Sequence, residues 1–148
     1  LDMPAGPSEV MVVADGSANP RFVALDLLAQ AEHGPDSHVV LVTVEPALVA
    51  AVGREIEAAL PGLARRPIIE RALSGSVAIV VADLGTGVDV ANRYAPEHLI
   101  LQVADARGLA GSVRTAGSVF LGAYTPESVG DYCSGTNHVL PTYGYARA

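Results

Sequence analysis

Four polar stretches in this 148-residue chain carry side chains that could hold a cation or move a proton. In QAEHG, residues 30–34, Gln30 and His33 stand three apart, so at a helix end both can point to one spot. An amide oxygen and an imidazole suit a borderline metal such as zinc. A polar helix end, with His33 near the dipole and Gln30 facing water, fits the same letters. In YAPEHLI, residues 94–100, Pro96 stiffens the approach to a strand and Glu97-His98 sets an acid beside a candidate general base. Adjacent residues of an extended stretch face opposite ways, so the two need not bond to each other, and a structural histidine remains open.

GDYCSGTNH, residues 130–138, offers the hard carboxylate of Asp131 and a second imidazole, His138, across a segment able to turn sharply. Ser134 or Cys133 as a hydrolase nucleophile lacks the G-x-S-x-G elbow and its strand-turn-helix setting, so Cys133 reads as a small buried apolar residue. DMPAGPSEV, residues 2–10, is either a stiff substrate-facing loop with Ser8 as hydroxyl donor and Glu9 beside it, or an ordinary opening turn. LGTGVDVANR has G-T-G without the next glycine of a dinucleotide fingerprint and is not read as a nucleotide site.

The elements that must position these groups follow from pattern. Near-continuous apolar runs at 9–15, 38–44, 76–83 and 98–103, with a fifth at 118–122, are expected as strands of a parallel sheet covered on both faces. Between them, Asn19-Pro20 caps a helix with Phe22, Leu25, Leu28 and Ala29 on its inner face, stopped by Gly34 and Pro35. Further helices fit 46–60, 65–73 and 84–94, with a short one in 105–113. Strands alternating with helices predict one α/β domain over residues 1–148, a three-layer sandwich with a largely parallel sheet. Ligands of such sheets gather beyond the carboxyl ends of the strands, so the polar stretches are expected in strand-to-helix loops or at helix ends.

Composition narrows the partners. Sixteen acidic against nine basic residues give a net charge of −7, which disfavours nucleic acid, and the arginines of LARRPIIER read as helix surface. There is no apolar run long enough for a membrane span and no export signal. A lone cysteine excludes an intrachain disulfide, so a cytoplasmic setting is the simpler expectation. The chain opens on Leu1 and closes just after its most loop-like stretch, as a segment of something longer would.

Taken together and in order, DMPAGPSEV, LLAQAEHGPDS, YAPEHLI, AGSVFLG and PESVGDYCSGTNHVLPTYGYA resemble the histidinol dehydrogenases, zinc enzymes that oxidise L-histidinol to L-histidine in two NAD-dependent steps. The resemblance covers essentially the whole chain. It implies zinc ligands at Gln30, His33 and Asp131, which hold the substrate through the metal. It also implies substrate contacts from Ser8 and His138, and an acid/base pair in which His98 takes protons and Glu97 activates water. The family's chain is much longer. Its main NAD contacts lie upstream of these residues, and a fourth zinc-ligating histidine and a substrate-binding glutamate lie downstream, supplied by the partner subunit of a homodimer. The 148 residues then correspond to the second half of a split, incomplete Rossmann-like domain.

Three readings compete. An enzyme wall requires Gln30, His33 and Asp131 to converge, with His98 and His138 facing them. A non-catalytic zinc or small-molecule-binding remnant requires the same convergence without turnover. A purely structural part of a larger oligomer scatters the polar stretches over the surface.

Overall fold

A computed structural model describes residues 6–126 and 140–147; Asp131, Cys133, Ser134 and His138 lie outside the described residues. Five parallel strands form one sheet: β1 (Glu9–Ala14), β2 (His38–Thr43), β3 (Val77–Val80), β4 (His98–Gln102) and β5 (Ser118–Leu121). Their order is β3-β2-β1-β4-β5, that of a doubly wound sheet, with helices on both faces. The three-layer expectation holds.

The helices are α1 (Pro20–Ala31), α2 (Pro46–Ala59), α3 (Arg66–Ser74), α4 (Leu84–Tyr94) and α5 (Ala106–Ala110). Asn19 caps α1 by accepting from the Arg21 N–H, with Pro20 at the first helical turn, as the sequence predicts. Asp83 and Asp105 cap α4 and α5 in the same way, accepting from the N–H groups of Thr86 and Gly108. One face of the sheet, through Val10, Val12, Leu41 and Ile100, packs on α1, α2 and α3. The other, through Met11, Val13, Val40 and Leu99, packs on α4 and α5.

The predicted inner face of α1 is corrected. Leu28 is buried, but Leu25 is 50% exposed and Ala29 is exposed, while Val23, Ala24, Leu27 and Ala31 face the core. An apolar residue stands almost everywhere around this helix, so periodicity could not choose the face; packing on both sheet and α2 does. At the edge, β3 leaves Val77 and Val80 47% and 50% exposed. Among the described residues, no helix is long and apolar enough to cross a membrane.

Candidate functional site at the amino edge of the sheet

The described parts of the polar stretches do not meet beyond the carboxyl ends of the strands. Ser8, Glu9, His38, Glu97 and His98 all stand where strands begin, and Gln30 and His33 stand where α1 returns toward β2. Gln30 and His33 stand at a helix end as expected, but the expected place beyond the carboxyl ends is corrected: the described site residues gather at the amino edge. The sequence places Glu9, His38 and His98 there because each heads an apolar run rather than ending one.

Parallel register sets the geometry. Glu9 pairs with His38 and Val10 with His98, so Glu9, His38 and Glu97 share the α4 side of the sheet while His98 lies on the α1 side. Glu97 and His98 thus face opposite ways, as expected, yet both converge on one residue. The Glu9 N–H donates to Glu97 Oε2 at 2.9 Å, and His98 Nδ1 lies 3.2 Å from the Glu9 carbonyl oxygen and 3.5 Å from Glu97 Oε2. Both neighbours of Nδ1 are oxygens, so a proton on that nitrogen satisfies them. Both side chains are buried, Glu97 at 7% and His98 at 6% exposure, and Phe120 packs its ring against the imidazole at 6.0 Å.

Local backbone fixes this pair. Ala95, in the left-handed region at φ 57°, ends α4 and swings the chain through Pro96 into β4. The N–H groups of Gly117 and Ser118 then bond the carbonyls of Pro96 and Glu97. A Cβ on Gly117 would stand 2.6 Å from the Glu97 carbonyl oxygen, so this approach admits only glycine.

Two adjoining hollows open here. One of about 570 Å³ is lined by Ser8, His33, Asp36 and Tyr143 among others, so two predicted site residues face one space. The other, of about 420 Å³, is lined by Glu9, His38, Tyr94, Tyr143 and Arg147. Residues 140–147 border both, with Tyr143 lining each: Thr142 Oγ1 accepts from the Gly6 N–H, and the Tyr143 N–H, at φ 53°, donates to Glu9 Oε1 at 3.2 Å.

Gln30 is fully buried in the last turn of α1, not facing water, and its carbonyl accepts from the N–H of the exposed His33 at 3.2 Å. An amide oxygen and an imidazole a turn apart are chemically apt for zinc. Among the described residues no group of three or more His, Cys, Asp or Glu could hold a metal, and the third expected ligand, Asp131, falls outside them.

The family model for histidinol dehydrogenase matches residues 1–148. The chain belongs to the histidinol dehydrogenase family. It is 60% identical over 148 residues to the histidinol dehydrogenase of Shewanella oneidensis and 58% identical over 147 residues to that of Colwellia psychrerythraea, covering 100% and 99% of this chain. In each case it spans 34% of the relative's length. A crystal structure of histidinol dehydrogenase from Elizabethkingia anophelis superposes with a TM-score of 0.96 at 51% identity, over 99% of this chain and 34% of that one. The chain therefore spans about a third of the length of these relatives.

Sequence reasoning set Glu9 only beside Ser8 and passed over His38 and Tyr94. The available signal was a charged or polar first residue on strands that are otherwise apolar, EVMVVA and HVVLVT. Tyr94 gave none, because its partner His38 is 56 positions away.

Proposed function

We propose that this chain supplies the acid/base wall and part of the zinc and substrate wall of a histidinol dehydrogenase, which oxidises L-histidinol to L-histidine through the aldehyde level with NAD taking the hydrides. The observation that carries it is the lock of Glu97 and His98 on the Glu9 backbone, at the same strand edge as the hollow lined by Ser8 and His33. His98 Nε2 removes the hydroxyl proton as each hydride leaves, and Glu97 activates the water that adds to the aldehyde-level carbon. Ser8 and His138 contact the substrate. Gln30, His33 and Asp131 hold zinc, which when bound anchors and polarises the substrate. In this reading a homodimer partner contributes the remaining ligand, NAD contacts come from elsewhere in the longer protein, and the setting is cytoplasmic, with neither nucleic acid nor membrane as partner.

The 34% share of its relatives' length favours a second reading for these residues alone: a zinc and small-molecule-binding piece without turnover. Calorimetric titration of the metal-stripped chain with zinc in the presence of L-histidinol tests the shared part. Saturable uptake abolished by Asp131→Ala is expected. A folded chain that takes up no zinc overturns the half-site.

A further inference from the structure

Tyr143 takes the left-handed region at φ 53°, and Gly144 follows it at φ 76°. Glycine or asparagine holds such a backbone with little strain, whereas a bulky aromatic residue there is an outlier. Backbone strain of this kind clusters at ligand-contacting positions. What a tyrosine adds here is its ring, and that ring does not serve the core. Tyr143 is 62% exposed, yet it lines both hollows, including the one it shares with Ser8 and His33. We propose that Tyr143 contacts the substrate, its ring stacking on the imidazole of L-histidinol in the 570 Å³ hollow, and that Glu9 is the positioning residue that holds it there. The inference rests on the dehydrogenase reading above.

Direct contacts set the ring in place. The Tyr143 N–H donates to Glu9 Oε1 at 3.2 Å, which fixes the turn against the head of β1. The neighbouring Thr142, 2% exposed, accepts through Oγ1 from the Gly6 N–H at 3.0 Å. Residues 142 and 143 thus grip both ends of the stretch 6–9 that carries Ser8. The ring edge fills the space beside Gly6: a Cβ there would collide with Tyr143 Cε2 and stand 2.6 Å from Cδ2. A side chain at position 6 would displace the ring.

The ring matches the substrate. L-Histidinol has one flat aromatic group, and two flat rings gain from stacking beyond the area they bury. The hollow falls within the ~300–1,000 Å³ usual for small-molecule sites. Ser8, Asp36 and Ser37 give it a polar lining suited to an amine and a hydroxyl. Apart from His33, which the proposed function assigns to zinc, Tyr143 is the one aromatic residue lining it among the described residues. The imidazole is the same in the alcohol, the aldehyde and the acid. A contact to it stabilises ground and transition states alike, so its loss shows in KM rather than in kcat.

The test places these 148 residues in the Shewanella oneidensis enzyme in place of its matching segment. Tyr143→Asn suits the left-handed backbone, keeps the N–H for Glu9 and removes the ring. It should raise the KM for L-histidinol roughly tenfold, with kcat within about threefold of the parent chimera. Calorimetric titration with L-histidinol in the absence of NAD should show Kd raised by the same factor. Tyr143→Phe, which keeps the ring, should restore both. Should Tyr143→Asn fail to fold, Tyr143→Gly, which takes the same backbone without a ring, should show the same rise. A folded ring-less variant with KM and Kd within twofold of the parent overturns the contact while the dehydrogenase reading stands. So does a fall in kcat with KM unchanged, or a Tyr143→Phe as impaired as Tyr143→Asn. An unsubstituted chimera that cannot oxidise histidinol sinks that reading and the stacking contact with it.

Discussion

Replacing Asp26 with asparagine should stabilise the fold, and only at neutral pH. Asp26 sits half-buried on α1, and its Oδ2 accepts from Gln102 Nε2 at 2.6 Å. Gln102 is 1% exposed and its Oε1 has no hydrogen-bond partner among the described residues. Burial raises the Asp26 pKa from 3.8 to about 6, against the lowering effect of the Gln102 hydrogen bond. Between about pH 4 and 6 the folded chain keeps a proton that the unfolded chain has released. Stability therefore falls as pH rises through that window, and the cost is fully present above it. The full shift corresponds to ~3 kcal/mol, and solvent screening of a half-buried group reduces this to ~1–2 kcal/mol. Asparagine cannot ionise, keeps an acceptor for Gln102 Nε2 and brings an N–H donor to the same contact. Urea unfolding of parent and Asp26→Asn at intervals from pH 4 to 8 should show equal stability near pH 4 and a variant ~1–2 kcal/mol more stable at pH 7.5. A difference that does not change with pH would refute the burial argument.

Two other substitutions probe the frame of the site. Gly117→Ala should cost ~1–3 kcal/mol in urea unfolding, because its Cβ would stand 2.6 Å from the Glu97 carbonyl oxygen and backbone must move to admit it. Val77→Lys with Val80→Lys should leave stability within ~0.5 kcal/mol and lower self-association in sedimentation, since both side chains are about half exposed on the edge strand β3.

The fold was legible wherever local chemistry decides. Each apolar run begins within a residue of an observed strand, and Asn19-Pro20 capped α1 as read, because capping and β-branched runs act over a few residues. The inner face of α1 was not legible: Leu25 and Ala29 carry the same apolar signal as Leu27 and Ala31, and only the position of α2 distinguishes them. Glu97 and His98 stood out as an acid beside an imidazole. Their link through Glu9 joins residues 88 and 89 positions apart, which no window along the chain contains. The place of residues 140–147 was hidden for the same reason: Thr142 reaches Gly6 across 136 positions.

Why the site occupies the amino edge follows from what fills the other end. In a sheet of this order the strands diverge at the carboxyl ends of β1 and β4, where dinucleotide folds receive a phosphate on free N–H groups of a glycine-rich turn and a helix start. Here the chain's own carboxylate takes that position. Asp15, directly after β1, accepts from the Ser17 N–H at 2.9 Å, from the Ser17 hydroxyl, and across the gap from the Ala104 N–H at 3.0 Å, just past β4. Burial works against its charge, but the donors from Ser17 and Ala104 prevail and hold the carboxyl below its ordinary range. Asn19 occupies the first free N–H of α1, at Arg21. The donors that an incoming phosphate would use are spent on a covalently attached anion, and a negative charge stands where one would have to arrive. The loop DGSAN and the polar heads of β1, β2 and β4 thus give the two edges different characters: at the carboxyl edge the chain's own carboxylate meets the local donors, and at the amino edge the described candidate residues border open hollows.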